Sequence, residues 1–481
     1  MLEKVTVRKH NEVHIKLDCE PGLMMEISSF FTFEVPGAKF SPAYRNRVWD
    51  GKIRLANPLT RLLYCGLLPQ LHQFCQSRGY ELELDGDFGD TEFSLLEAES
   101  FIKKLEPKHQ PRDYQIEAFM HGVRKRRALL LSPTGSGKSL IIYLLACYYR
   151  TKTLIIVPTT SLVHQMASDF EDYGLPKGMV HKIMSGEQKD TDKPFVVSTW
   201  QSIYKLPKKW FQQFNVVIGD EAHLFKAKSL TSILSAMDNC KYRFGFTGTL
   251  DGTQTHKLVL EGLFGAVKKV TTTADLMEQK HLAELTIKAL VLKYPQETRK
   301  TMCKADYQAE MDFLVRSDSR NKFIKNLTLS LKGGNTLLLF QYVEKHGKVL
   351  HDMISQEAGD RRVFFISGDV DGEEREDIRR IIETEKDAII VASYGTSSTG
   401  INIKNLSNVI FASPSKSRVR NLQSIGRGLR TTETKTTATL YDIADDLSWK
   451  SSKNHTLLHF VERIKIYNSE KFRYKLYNID L

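Results

Sequence analysis

The chain has 481 residues, 41% apolar and 26% charged, and its 69 Lys and Arg outweigh 57 Asp and Glu to give a net charge of +12. Those fractions are the ones of a soluble globular protein of two to four domains, and the basic surplus favours a polyanionic partner, nucleic acid first. The longest apolar run, 140–149, is half a membrane span, so no membrane partner is expected. The scattered cysteines (Cys19, Cys65, Cys75, Cys147, Cys240, Cys303) show neither zinc spacing nor C-x-x-C, and the first ten residues lack a signal-peptide core; a cytoplasmic setting is expected.

Residues 1–95 alternate in V-T-V-R and V-H-I-K-L and turn helical near Leu67 to Arg78, which predicts a small α+β domain. Between Tyr44 and Arg61, the cations Arg45, Arg47, Lys52, Arg54 and Arg61 face only Asp50, with Tyr44 and Trp49 interleaved. Such a patch suits phosphate contact with base stacking; a small core supplying the aromatics beneath exposed charges is the alternative.

Short runs rich in Val, Ile, Leu and Phe then recur at 128–132, 153–157, 195–198, 216–219 and 244–247, and again at 336–340, 363–367, 388–393, 408–412 and 439–442. They read as strands buried on both faces, separated by helical patterns, and so predict two parallel-sheet α/β domains in tandem. The expected boundaries are 96–285 and 286–445, with the switch near K-H-L-A-E-L and K-Y-P-Q-E-T. A basic helical extension is expected over 446–481.

The first crossover opens with S-P-T-G-S-G-K-S, strand before it and helix after it. In a phosphate loop the backbone of Pro133, Thr134, Gly135, Ser136 and Gly137 turns N–H groups toward phosphate oxygens. Lys138 would reach the β- and γ-phosphates and Ser139 would ligand Mg²⁺. Ser132 stands where the general pattern has Gly. Some 80 residues on, G-D-E-A-H ends a strand: Asp220 is placed to hold Mg²⁺, partly through water, and Glu221 to orient and deprotonate the attacking water. Upstream, P-R-D-Y-Q contains Arg112 and Gln115; a Gln amide can pair with N6 and N7 of adenine, favouring ATP, although an ordinary helix-start glutamine reads the same way. Near the end, Q-S-I-G-R-G-L-R places Gln423, Arg427 and Arg430 on one helix face at the expense of two glycines, about 2 kcal/mol of helix propensity.

In order, R-D-Y-Q, P-T-G-S-G-K-S, V-P-T-T-S-L-V-H-Q, V-V-S-T-W-Q-S-I, D-E-A-H, T-G-T, A-S-Y-G-T-S-S-T-G-I-N and Q-S-I-G-R-G-L-R resemble the motif series of superfamily 2 helicases over roughly residues 110 to 445. Outside the motor, F-F-T-F-E, Y-R-N-R-V-W-D-G-K-I-R-L and E-K-F-R-Y resemble the phage recombination helicases of that superfamily. The resemblance implies two tandem RecA-like domains and an ATP- and Mg-dependent, 3′-to-5′ DNA motor acting on branched DNA and R-loops in recombination, repair and recombination-dependent replication. It implies that Arg427 and Arg430 reach the γ-phosphate from the second domain, with Gln423 positioning water or phosphate. Arginine fingers contribute 10³–10⁵ in rate, roughly 4–7 kcal/mol, more than the glycines cost.

His223, Thr247 and Thr249 would then relay nucleotide state, Gly400 matches the fifth motif, and Asn402 replaces a common Asp. DNA backbone contacts are expected at Pro158, Thr159, Gly186, Thr199, Gln201, Gly368 and Thr399, with Lys416, Arg418 and Arg420 near the same surface; caps, turns and a solvated loop are the bland readings of these residues. A monomer is expected, with DNA, RNA–DNA hybrids and replication or recombination proteins as partners. An RNA helicase, a restriction-enzyme motor subunit and an ATP-regulated nucleic-acid-binding scaffold are the rival readings.

Overall fold

The computed structural model describes residues 3–35, 37–224, 227–250, 254–368, 372–395, 403, 405–414 and 437–481. Two compact units divide the chain: Met1–Ser132 with Gly137–Val270, and Pro133–Ser136 with Thr271–Leu481.

The first unit begins with β1 (Lys4–Lys9), β2 (His14–Asp18), β3 (Thr32–Glu34), β4 (Lys52–Arg54), β5 (Ala56–Asn57), β6 (Leu62–Tyr64) and β7 (Glu81–Asp85). Five of them form a sheet ordered β5-β6-β2-β1-β7, and β3 pairs with β4 in a separate hairpin. Alternation decides the faces: Val5 and Val7 of β1 and Ile15 and Leu17 of β2 are buried while their neighbours face outward. Helices Pro21–Phe30 and Leu68–Arg78 cover the apolar face, each carrying a proline in its first turn, where no amide hydrogen is needed.

The same unit continues with β8 (Arg127–Leu131), β9 (Thr153–Val157), β10 (Val180–Ile183), β11 (Phe195–Thr199), β12 (Val216–Gly219), β13 (Tyr242–Thr247) and β14 (Val267–Lys269). They form a parallel sheet ordered β10-β11-β9-β12-β13-β8-β14. The five predicted strands are its centre; the edge strands V-H-K-I and V-K-K are too short and polar to stand out.

One hydrophobic core runs through both sheets of this unit. Ile15, Leu17, Leu67 and Leu71 belong to the same cluster as Leu129, Leu154, Val217, Leu263 and Phe264. At the junction a Cβ on Gly66 would lie 1.9 Å from the Glu261 carbonyl oxygen, so only glycine fits. Arg127 ties the two parts polarly, donating to the Glu12 carbonyl at 3.0 Å and pairing with its carboxylate at 3.5 Å.

The second unit holds β15 (Glu284–Lys293), β16 (Asn335–Phe340), β17 (Val363–Ile366), β18 (Ile389–Ser393), β19 (Leu406–Phe411), β20 (Thr437–Asp446) and β21 (Arg473–Asp480), in a parallel sheet ordered β17-β18-β16-β19-β20-β15-β21. The segment read as a domain switch is the ten-residue strand β15, which starts two residues before the expected boundary. The tail differs from a helical extension. Its helix is His455–Ser469, and R-Y-K-L-Y-N-I-D is a strand because β15 offers it a free edge and a full parallel register. Buried polar groups anchor that tail. The Glu310 carboxylate accepts from Asn454 Nδ2 (2.7 Å) and the amides of His455 (2.9 Å) and Thr456 (2.8 Å), covering the orphan N–H groups of the helix start. Asp442 accepts from Arg463 Nε (2.9 Å) and Tyr467 hydroxyl (2.7 Å), all three buried. Among the described residues no helix is long and apolar enough to cross a membrane.

Candidate nucleotide and nucleic-acid sites

All strands of the first unit's large sheet run one way, so the segments leaving their carboxyl ends gather along one edge. Ser132 follows β8, Pro158 follows β9, Gly186 follows β10, Thr199 ends β11, Asp220 follows β12 and Thr247 ends β13. Ligands bind at this edge of open α/β sheets.

After β8 the Ser132 amide donates to the Thr247 carbonyl at 2.9 Å, aligning the start of the loop with the end of β13. Gly135 (φ +85°) and Gly137 (φ +73°) occupy the left-handed region, and the Ser136 hydroxyl donates to the Pro133 carbonyl at 2.7 Å. Gly137 caps the helix Lys138–Tyr149, whose N-terminal dipole favours an anion at its start. Thr134 stands in the same loop.

Gln115 is buried against this loop. Its Oε1 accepts from the Arg112 amide at 2.8 Å, and its Nε2 donates to the Gly137 carbonyl at 3.2 Å. The amide expected to pair with adenine joins its helix start to the phosphate loop in this structure. The Arg112 guanidinium donates to the Tyr114 hydroxyl at 2.9 Å.

Lys138 and Glu221, 83 positions apart in the chain, form a partly buried ion pair of 2.5 Å. Glu221 holds φ +49°, an unfavourable backbone for a residue with a Cβ and of the kind found at active sites. Beside it Asp220 is buried, and its carboxylate accepts from the Glu221 amide at 2.9 Å. Burial pushes the Asp220 carboxyl up to about 6, against the pull of the nearby Lys138 cation. A carboxylate so starved of water gains from a neighbouring hard cation, and with the Ser139 hydroxyl it offers the oxygen donors that suit Mg²⁺.

Three further motif residues, His223, Thr247 and Thr249, meet here as well. His223 Nδ1 is 2.7 Å from the Thr247 hydroxyl and 3.5 Å from Glu221 Oε2. The Thr247 hydroxyl donates to the Thr249 carbonyl at 2.6 Å, so its one hydrogen is committed and the hydrogen between it and His223 sits on Nδ1. The Tyr173 hydroxyl lies 2.7 Å from Ser139 Oγ; as a lone tyrosine after a helix it carries no spacing signal in the sequence.

Several residues expected to contact DNA serve the local fold. Thr159 caps the helix Thr160–Asp172 by accepting from the Leu162 amide at 3.4 Å, Thr199 bonds Ser202 at 2.8 Å, and Gln201 donates to the Pro158 carbonyl at 3.3 Å. Gly186 (φ +82°) and, in the second unit, Gly368 open onto free space.

In the N-terminal patch, Arg45 and Arg47 are exposed, as are Phe40 and Val48 beside them. Arg54 pairs with Asp50 at 2.5 Å and holds its carboxyl down to about 2, whereas Trp49 turns its indole N–H to the Lys52 carbonyl at 2.8 Å. Trp49 thus helps close the turn into β4, and Tyr44 is the more open ring. Thr399, Gly400, Asn402, Lys416, Arg418, Arg420, Gln423, Arg427 and Arg430 lie outside the described residues.

Comparison with known proteins accounts for this combination. Residues 4–85 match the N-terminal domain model of the DNA helicase UvsW, 108–252 that of the type III restriction enzyme res subunit, and 318–432 the helicase conserved C-terminal domain. The ATP-dependent DNA helicase uvsW of Enterobacteria phage T4 is 39% identical over 504 aligned positions, spanning 99% of this chain and 100% of that protein. The DNA 3′-5′ translocase XPB2 of Sulfurisphaera tokodaii is 28% identical over 41% of this chain and 43% of its own length. The crystal structure of T4 UvsW aligns with a TM-score of 0.52 at 37% identity over 99% of both chains. A type I restriction enzyme HsdR fragment from Vibrio vulnificus, TM-score 0.59 at 17% identity over 90% of this chain and 77% of its own, shares the fold. With its phosphate loop, acidic pair and parallel sheets, the chain belongs to the UvsW family of ATP-dependent DNA helicases in superfamily 2.

Proposed function

We propose that this helicase remodels branched DNA (forks, four-way junctions and R-loops) during phage recombination, repair and recombination-dependent replication, tracking 3′ to 5′. The observation that carries the reading is the Lys138–Glu221 pair beside buried Asp220, on the sheet edge that also holds Pro158, Thr159, Thr199 and Gln201. That edge brings Lys138, the acidic pair and candidate DNA-backbone contacts to the ends of strands of one sheet.

Lys138 neutralises the incoming β- and γ-phosphates, and the phosphate competes with Glu221 for the ammonium. Glu221 is thereby released to orient water and take its proton only once the phosphate is seated. Ser139 and Asp220 would hold the magnesium ion of MgATP, which offsets phosphate charge. Arg427 and Arg430 are proposed to stabilise charge on the transferred phosphoryl group, Gln423 to position water or phosphate, and Asn402 and Gly400 to serve the nucleotide. His223, bridging Glu221 to Thr247, passes the state of the site to the T-G-T segment. Arg45, Arg47, Lys52 and Arg54 contact DNA phosphates from 1–95; 96–285 and 286–445 form the motor and 446–481 completes its second sheet. The protein works as a monomer in the host cytoplasm.

Unwinding of a fork, a four-way junction and an RNA–DNA hybrid tests this reading, with Lys138→Ala as the inactive control. ATP-dependent opening of the branched substrates is expected. Preference for an unbranched RNA duplex, or strand separation by the Lys138→Ala protein, would overturn it.

A further inference from the structure

The helix Thr160–Asp172 starts at one assigned residue and ends against another. Its cap at the start is Thr159, read as a DNA contact; the residue closing its end is Tyr173, whose hydroxyl is 2.7 Å from Ser139 Oγ. The Tyr173 ring is held on several sides. It packs against Tyr143, one turn beyond Ser139 on the same helix, with centroids 5.5 Å apart, and meets His109 edge-on at 5.8 Å. Its carbonyl accepts from the Lys108 amide at 3.1 Å, tying it to the segment that leads to Gln115. The phenol is therefore placed by three elements.

A serine hydroxyl has one hydrogen and two lone pairs and rotates freely unless something fixes it. To ligate a cation, Ser139 must present a lone pair and send its hydrogen elsewhere. The Tyr173 oxygen lies within reach of that hydrogen. We propose that Tyr173 is a positioning residue of the nucleotide site: it accepts the Ser139 hydroxyl hydrogen and so aims the Ser139 lone pair at the metal of MgATP. The proposal rests on Ser139 being a metal ligand. Groups that orient a ligand in this way contribute 10–100-fold to metal affinity.

Equilibrium binding of a fluorescent ADP analogue, titrated with MgCl₂ in wild type, Tyr173→Phe, Ser139→Ala and the double variant, tests it without turnover. Tyr173→Phe removes one oxygen and keeps the ring packing. The expected result is a Mg²⁺ midpoint raised about tenfold in Tyr173→Phe, an unchanged affinity in EDTA, and no further shift when Tyr173→Phe is added to Ser139→Ala. An unshifted midpoint, or equal effects in the presence and absence of Ser139 Oγ, would overturn the positioning role while leaving the nucleotide site standing. Nucleotide binding by wild type that does not respond to Mg²⁺, or a Ser139→Ala midpoint equal to wild type, would overturn the assignment of Ser139 and the proposal with it.

Discussion

Replacing Gly66 by alanine should separate the N-terminal sheet from the motor sheet behind it. The new Cβ would stand 1.9 Å from the Glu261 carbonyl oxygen and 2.8 Å from that of Gly262, both backbone atoms of the helix Gln254–Phe264. Ordinary contact begins near 3.4 Å, so the two parts must open by about 1.5 Å at this point. A gap of that size forfeits most of the dispersion between Leu67, Leu71 and Tyr64 on one side and Leu260 and Leu263 on the other. Overpacking of this kind costs about 3 kcal/mol, which in a unit this size lowers the melting temperature by roughly 6–12 °C. Gly22→Ala is the matched control: its Cβ meets nothing within 4 Å and it lies in a helix, so it should be neutral or slightly stabilising. Differential scanning calorimetry of the two variants provides the comparison. If Gly66→Ala melted with Gly22→Ala and the wild type, the shared core would not be holding these sheets together.

Asp442→Ala strands the buried Arg463 guanidinium and should cost about 3–5 kcal/mol, read from urea denaturation; a loss below 1 kcal/mol would contradict the network. His346 is fully buried beside Ser413, 3.1 Å from its hydroxyl, and burial lowers its pKa from 6.5 to about 3. The unfolded chain then binds a proton below pH 6.5 that the native site refuses. Stability from this group is complete above pH 6.5 and declines toward pH 3, by about 2 kcal/mol between pH 7 and 5. His346→Gln should flatten that slope relative to wild type, and an identical slope would refute the assignment. Arg45→Ala with Arg47→Ala should weaken binding to forked DNA and reduce the slope of log affinity against log salt by about 2, measured by fluorescence anisotropy; an unchanged slope removes the patch from the DNA path.

What could be read from the residues alone follows from where chemistry or burial restricts residue type. The left-handed backbone at Gly135 and Gly137 restricts both positions to glycine, so the loop is plain in one dimension. Strands such as T-L-I-I-V, buried on both faces, are equally plain. Edge strands β10 and β14 lack that uniformity, and β15 alternates with charged residues at both ends, so it resembled a linker. The docking of the N-terminal sheet depends on Gly66 meeting Glu261, a contact between residues almost 200 positions apart that neither segment announces. Gln115 stands out in the sequence for its amide, yet its bonds to Arg112 and Gly137 depend on how the loop folds over it.

ATP hydrolysis by wild type and Glu221→Gln, with and without forked DNA and alongside nucleotide binding, decides whether Glu221 activates the attacking water. DNA stimulation is expected in wild type, and in Glu221→Gln a loss of roughly 10²–10⁴-fold in turnover with nucleotide binding retained. Hydrolysis by Glu221→Gln at the wild-type rate, or a wild-type rate indifferent to DNA, would contradict it.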